Sequence, residues 1–331
     1  MNVFLNAAIF GVLAGLATTA TTVVIEKFGG IIGGVFGTFP ITLILASVGM
    51  LVNLVEQHPD PADIDEIHHS FEVSMFSYPI GLLATTMLVL VWQNLPKFLP
   101  VKSSDRKALT MLAISIVFWL AVSTALVFAL PHLDTVVDRK ISGAVSLGII
   151  ALTGIISTFS RYIPAPAGKK KATVWVLMAR GVFAGVAIFV GVVLAKFGGP
   201  TLGGIASVFP AVFLTSMTSV WLAQGEQVAM GATNSLMLGF LSTGVYCFSA
   251  SFLCFTSLGM VGGVLVASLA SIVYNTLLGS FLKWRQNRLD RRYQLVAANS
   301  EMLSINLAES QTLHGADSPR VSEEDDGNEL P

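Results

Sequence analysis

Three of the chain's five histidines, His58, His68 and His69, stand in one short stretch with Asp60, Asp63, Asp65 and Glu66. Imidazole beside carboxylate suits zinc, iron or manganese, whereas carboxylates alone favour calcium or magnesium. If the chain is helical from Ala62, Asp65, His69 and Glu72 follow at i, i+4 and i+7 and share a face. His58, Asp65, His68 and His69 are therefore the candidate metal ligands. The same imidazoles change charge between about pH 5 and 8 and would sense an acidic lumen. A solvated acidic loop is the plain alternative.

A second kind of chemistry is offered by polar groups inside long apolar runs. Arg180 is the one basic residue well within such a run. A charge at that depth marks a functional site by default, here contact with an anion or substrate. Its guanidinium could also snorkel to an interface about six residues away. Pro40 and Pro210 each stand roughly ten residues into a run, which at about 1.5 Å per residue is near the middle of a ~30 Å hydrocarbon core. A proline inside a helix lacks its N–H and displaces the carbonyl four residues earlier. Those carbonyls belong to Phe36 and Ala206, in half-helices opened by Gly33-Gly34 and Gly203-Gly204. At that depth they must be satisfied by protein, water or a solute. Phe36, Thr38, Pro40, Arg180, Ala206, Ser207 and Pro210 are thus the candidate solute-binding residues, and the four glycines the candidate helix breaks. The structural alternative is close helix packing on glycine beside a proline kink. Thr18, Thr19, Thr21 and Thr22, and Thr215, Ser216, Thr218 and Ser219, either line a polar path or bond to backbone carbonyls.

Motifs for covalent catalysis are missing. The sequence has no Gly-x-Ser-x-Gly, no phosphate-binding P-loop, no His-Glu-x-x-His and no intramembrane Asp pair. An enzyme, a bound cofactor and an ATP-driven pump are not expected.

The elements that must position these residues are bilayer helices. Of 331 residues 53% are hydrophobic and 12% charged, with mean hydropathy +0.74. Soluble domains carry about a quarter charged residues. Apolar runs long enough to span lie at 3–25, 31–54, 71–93, 108–130, 141–160, 174–195, 201–224, 227–249 and 257–282. The first run has no basic segment before it and reads as a retained helix rather than a signal peptide. No basic stripe suggests nucleic acid. Cys247 and Cys254, seven apart on one face, read as small packing residues.

Self-comparison reveals a duplication. Gly11-Val-Leu-Ala-Gly15 recurs as Gly181-Val-Phe-Ala-Gly185, and Lys27-Phe-Gly-Gly30 as Lys196-Phe-Gly-Gly199. Gly33-Gly34 with Phe39-Pro40 recurs as Gly203-Gly204 with Phe209-Pro210, and Glu56-Gln57 as Glu226-Gln227. The offset is 170 residues (181 − 11), except 169 for the second pair. Five crossings separate the equivalent first helices, and an odd number inverts the second copy. The expected fold is an all-α integral membrane protein of about nine transmembrane helices, arranged as two inverted four-helix repeats joined by a connector helix. The divisions are 1–130 for repeat 1, 131–172 for the connector and its loops, 173–282 for repeat 2, and 283–331 for a disordered tail.

Basic clusters after the third, fifth and ninth spans fall on one side, which the positive-inside rule makes cytoplasmic. The tail is then cytoplasmic, in a plasma membrane or an endomembrane. Tyr293-Gln-Leu-Val296 has the pattern of a tyrosine-based sorting signal and would bring an adaptor. Ser322 precedes Glu-Glu-Asp-Asp and would suit an acidophilic kinase. Inverted repeats are a recurring design of secondary transporters. The leading expectation is alternating-access transport of a small polar or ionic solute, a divalent metal ion first and a small anion second. The alternatives are a passive channel and a non-transporting scaffold or sorting receptor. Expected partners are the lipid bilayer, the solute and, by self-association, a second copy.

Overall fold

The computed structural model describes residues 3–28, 38–101, 103–129, 136–160, 174–197, 205 and 209–315. Among them the chain is all-helical. Its helices are α1 Val3–Phe28, α2 Ile41–Gln57, α3 Ile64–Asn94, α4 Ser104–Ala129, α5 Val136–Ser160 and α6 Val174–Phe197. They continue as α7 Ala211–Gln224, α8 Glu226–Gly231, α9 Thr233–Gly239, α10 Leu241–Leu253 and α11 Gly259–Gly315. Seven stretches are long and apolar enough to cross a membrane: one each in α1, α3, α4, α5, α6 and α11, and one formed by α8–α10 together. Val12, Leu16, Val117, Phe128, Ile141 and Leu265, all on these helices, are more than half exposed. Large apolar side chains facing outward on every long helix are what a bilayer accommodates and water does not. The chain is a multi-pass membrane protein.

Several boundaries depart from expectation for local reasons. α3 starts at Ile64 rather than near 71, because Asp60 accepts from the Ala62 N–H at 2.9 Å and Pro61 opens a helical turn. Asp65 and Glu66 then lie in the first turn of α3, where carboxylates suit the helix dipole. The expected spans 31–54 and 201–224 give way to the shorter helices α2 and α7, each beginning just after its proline. The expected span 227–249 is three helices whose winding slips at Ala232 and Phe240, both still right-handed. The tail expected to be disordered from 283 is helical to Gly315, since no glycine or proline interrupts Lys283–His314. Residues 316–331, with Ser322, lie outside the described residues.

Burial separates two central helices from the rest. In α3 with its short extension 78% of the spanning window is buried, and in α8–α10 67%, against 22–33% in the other five. The large buried side chains Trp92, Tyr78, Phe71 and Phe76 all belong to α3, and Tyr246 to α10. Gly143 lets α5 reach the α3 backbone, where an added Cβ would meet the Phe76 carbonyl at 2.9 Å.

The repeated glycine motifs form a single joint. A Cβ on Gly11 would lie 2.8 Å from the Gly185 carbonyl oxygen, and one on Gly185 2.7 Å from that of Gly11. Gly15 and Gly181 face each other the same way, at 2.8 Å in both directions. Only glycine permits backbones to approach so closely. The pairs 11–185 and 15–181 run in opposite senses, so α1 and α6 are antiparallel. Beside the joint runs an open apolar groove of about 520 Å³, lined by Ala8, Gly11, Val12, Gly15, Leu16 and Thr19 of α1. Its other wall is Met178, Gly181, Val182, Gly185, Val186 and Phe189, each 170 residues after its mate.

Candidate functional site

Pro40 and Pro210 do not sit inside helices. Each is the residue before one, with nearly identical backbone: φ −79°, ψ 44° at Pro40 and φ −80°, ψ 45° at Pro210. Each proline carbonyl accepts the first helical bond, from Ile44 N–H and Leu214 N–H, both at 2.8 Å. This corrects the expected kink: proline starts the helix, where its missing N–H costs nothing. Phe36, Ala206 and Ser207, and Gly33, Gly34, Gly203 and Gly204, lie outside the described residues.

The segments leading into these prolines each meet a central helix. Thr38, 6% exposed, packs on Gly239 at the end of α9, where an added Cβ would reach Thr38 Cβ at 2.8 Å. Ser242 donates to the Thr38 carbonyl at 3.1 Å, and Ser271 of α11 to the Ser242 carbonyl at 2.9 Å. Tyr274 donates to the Leu238 carbonyl at 3.2 Å. On the other side Ile205 packs with Ile80 of α3, beside Pro79, together with Leu126 and Val127 of α4. Phe209 meets Trp119 edge-on at 5.0 Å, and the Trp119 indole donates to Thr85 at 3.2 Å. A short Ser47–Tyr246 bond of 2.5 Å ties α2 to α10. Thr38 thus packs on the central element α8–α10, and Ile205 on α3.

Arg180 turns inward instead of reaching an end of α6. It is 3% exposed and donates to Ser219 of α7, whose hydroxyl donates to the Ser216 carbonyl at 3.0 Å. The corresponding pair in the first half is Phe10 and Gly49, and there the Phe10 ring lies on the glycine, 3.0 Å from an added Cβ.

The histidines and acids do not converge. His58 lies 3.7 Å from Asp63 and 3.6 Å from Glu66, while Asp65 and His69 are exposed. His68 stacks on Phe255 with ring centres 4.3 Å apart and is 3.6 Å from Glu72. Among the described residues no three His, Cys, Asp or Glu side chains gather where they could hold a metal ion. The physical reason is the pairing of Glu72, which is buried while Asp65 and His69 stay exposed. Glu72 faces inward, 3.0 Å from Lys140 of α5, whose ammonium lies 5.4 Å from the Phe76 and Phe252 ring centres. Cys247 and Cys254 are free, buried thiols, and burial pushes Cys254 up to about 11. Tyr293 and Val296 of the sorting-like motif are exposed and helical.

Two polar contacts between helices are not evident from the sequence alone. Gln93 donates to Thr233 at 2.9 Å and to Asn234 at 2.8 Å, and Ser157 donates to Asn234 at 2.8 Å and to Gln93 at 3.1 Å. This network joins α3, α5 and α9. The other is Glu72 with Lys140. The available signal was an amide or acid inside an apolar run, since Gln93, Asn234 and Glu72 all fall within expected spans.

Comparison of the chain with protein families, with curated proteins and with solved structures finds no match in any of the three.

Proposed function

We propose that the protein is a secondary transporter of a small polar or ionic solute, working by alternating access. Its nine spans form two inverted four-helix repeats, with α5 as connector, and the solute is held beside Pro40 and Pro210, where Thr38 and Ile205 meet the central helices. The reading rests on one observation above the rest. Equivalent helices α1 and α6 are antiparallel, and their glycines meet reciprocally, 11 with 185 and 15 with 181. Two copies related in that way point in opposite directions, so each state of the whole has a mirror state opening to the other side. The matched backbone at Pro40 and Pro210 supports the same relation. Discontinuous helices near the centre are where transporters of this design hold their solutes. Of the two solutes suggested by the sequence, the divalent cation lacks a converging ligand set among the described residues. The anion would compete with Ser219 for Arg180.

Purified full-length protein in proteoliposomes, given an inward proton or sodium gradient and a panel of labelled solutes, should accumulate at least one above its equilibrium level. Passive equilibration alone would make the protein a channel. Cutting the chain after Leu282 should leave flux intact. If function in cells vanishes with the tail while no solute moves in vesicles, a scaffold or sorting receptor is the better description.

A further inference from the structure

Asn275 of α11 is 3% exposed, and neither its Oδ1 nor its Nδ2 has a hydrogen-bond partner. A carboxamide offers two donors and two acceptors, and burying all of them unpaired is costly enough that such groups are rare. Its direction is fixed by its neighbours. Ser271, one turn earlier, donates to the Ser242 carbonyl, and Leu278 and Leu282, one and two turns later, pack with Leu238 and Leu241. Asn275 therefore faces the stretch Leu238–Ser242, on which Thr38 packs.

The first half holds a counterpart. Ser123-Thr124 and Leu126 of α4 match Asn275-Thr276 and Leu278 of α11 at an offset of 152 residues (275 − 123), shorter than 170 because the insert after Glu56-Gln57 is present only in the first half. Leu126 packs at the Ile80–Ile205 contact as Leu278 packs at Leu238. Ser123 is 6% exposed, and its hydroxyl too is without a partner. Both places thus carry a buried polar side chain with unused hydrogen-bonding capacity, at equivalent positions.

We propose that Asn275 and Ser123 are solute-contacting residues, and that the solute is an uncharged molecule rich in hydroxyl or amide groups. This rests on the transporter reading and narrows its solute class. Among the described residues the polar side chains at these two places, from Thr38, Ser242 and Tyr274 to Thr85 and Ser123, are all neutral. An ion held there would lose water without gaining a counter-charge, whereas hydroxyls and amides exchange one set of hydrogen bonds for another.

The test uses full-length protein in vesicles with Cys247→Ala and Cys254→Ala. Asn275→Cys and Ser123→Cys are treated from both faces with methanethiosulfonate ethylammonium, with lipid-facing Leu277→Cys as control. Modification at both positions, with the control at least tenfold slower, is expected. Lack of reaction at both positions overturns the proposal. Should Asn275→Cys not yield folded protein, Ser123→Cys decides, because it exchanges only oxygen for sulfur. Uptake of labelled glycerol, glucose, phosphate and manganese(II) is then compared between wild type and Asn275→Leu. The expectation is uptake of a neutral solute that falls at least tenfold in Asn275→Leu, while its melting temperature stays at or above the wild-type value. Unchanged uptake in Asn275→Leu, or wild-type uptake of neither glycerol nor glucose, overturns it. Neutral solute that enters but only equilibrates would instead count against the transporter reading.

Discussion

Phe10 on Gly49 and Arg180 on Ser219 occupy the same place in the two halves, each residue 170 positions from its mate. One contact is a ring on bare backbone, the other a guanidinium on a hydroxyl. The first half places its polar link one turn earlier, where Asn6 donates to the Gly49 carbonyl at 3.2 Å and to Asn53. Both halves therefore fasten their first helix to the helix after the proline, by different chemistry. The two halves agree in which helices are fastened together, while the side chains differ where a side chain fits. At the α1–α6 joint none fits, and there the sequences still agree.

That contrast can be broken most severely at the joint. Gly185→Leu should cost more than the ~1–3 kcal/mol of ordinary overpacking, because the obstruction is the Gly11 backbone, and its equivalent Gly15→Leu, obstructed by the Gly181 backbone, should do the same. Melting temperature and the yield of monodisperse protein in detergent measure both, and a large effect at one glycine with none at its mate would refute their equivalence. A milder outcome is expected where the halves differ. Arg180→Phe should lose about 1.5–3 kcal/mol, the usual worth of a hydrogen bond to a charged group. Adding Ser219→Gly should recover most of that, since the ring would then lie on glycine as Phe10 does. Strictly additive single and double variants in a denaturation cycle would show that the two places are not alike. The smallest effect belongs to the loop that only the first half possesses. Replacing His58, His68 and His69 together by alanine should change calorimetric zinc affinity less than twofold, and a tenfold fall would restore the metal reading.

Most of the framework was legible because apolar length and glycine spacing act locally. The long runs gave helices at nearly the expected places, and the Gly-x-x-x-Gly pairs became the α1–α6 joint. What could not be read depended on which way a helix turned. Asp65, His69 and Glu72 have suitable spacing, yet Glu72 is drawn inward by Lys140, sixty-eight residues away (140 − 72). Pro40 was expected within a helix because a hydropathy window passes over a break in winding that remains apolar. Asn275 gave no alarm among its neighbours, since one amide hardly lowers the hydropathy of a span, and its lack of a partner is a fact of three dimensions.

The glycine joint also restricts how this gene can change. A methyl group on either Gly11 or Gly185 strikes the other's carbonyl, so the two positions are bound to each other. Neither is open to the exchange that puts phenylalanine at position 10 and arginine at position 180, each the immediate neighbour of a glycine of the joint.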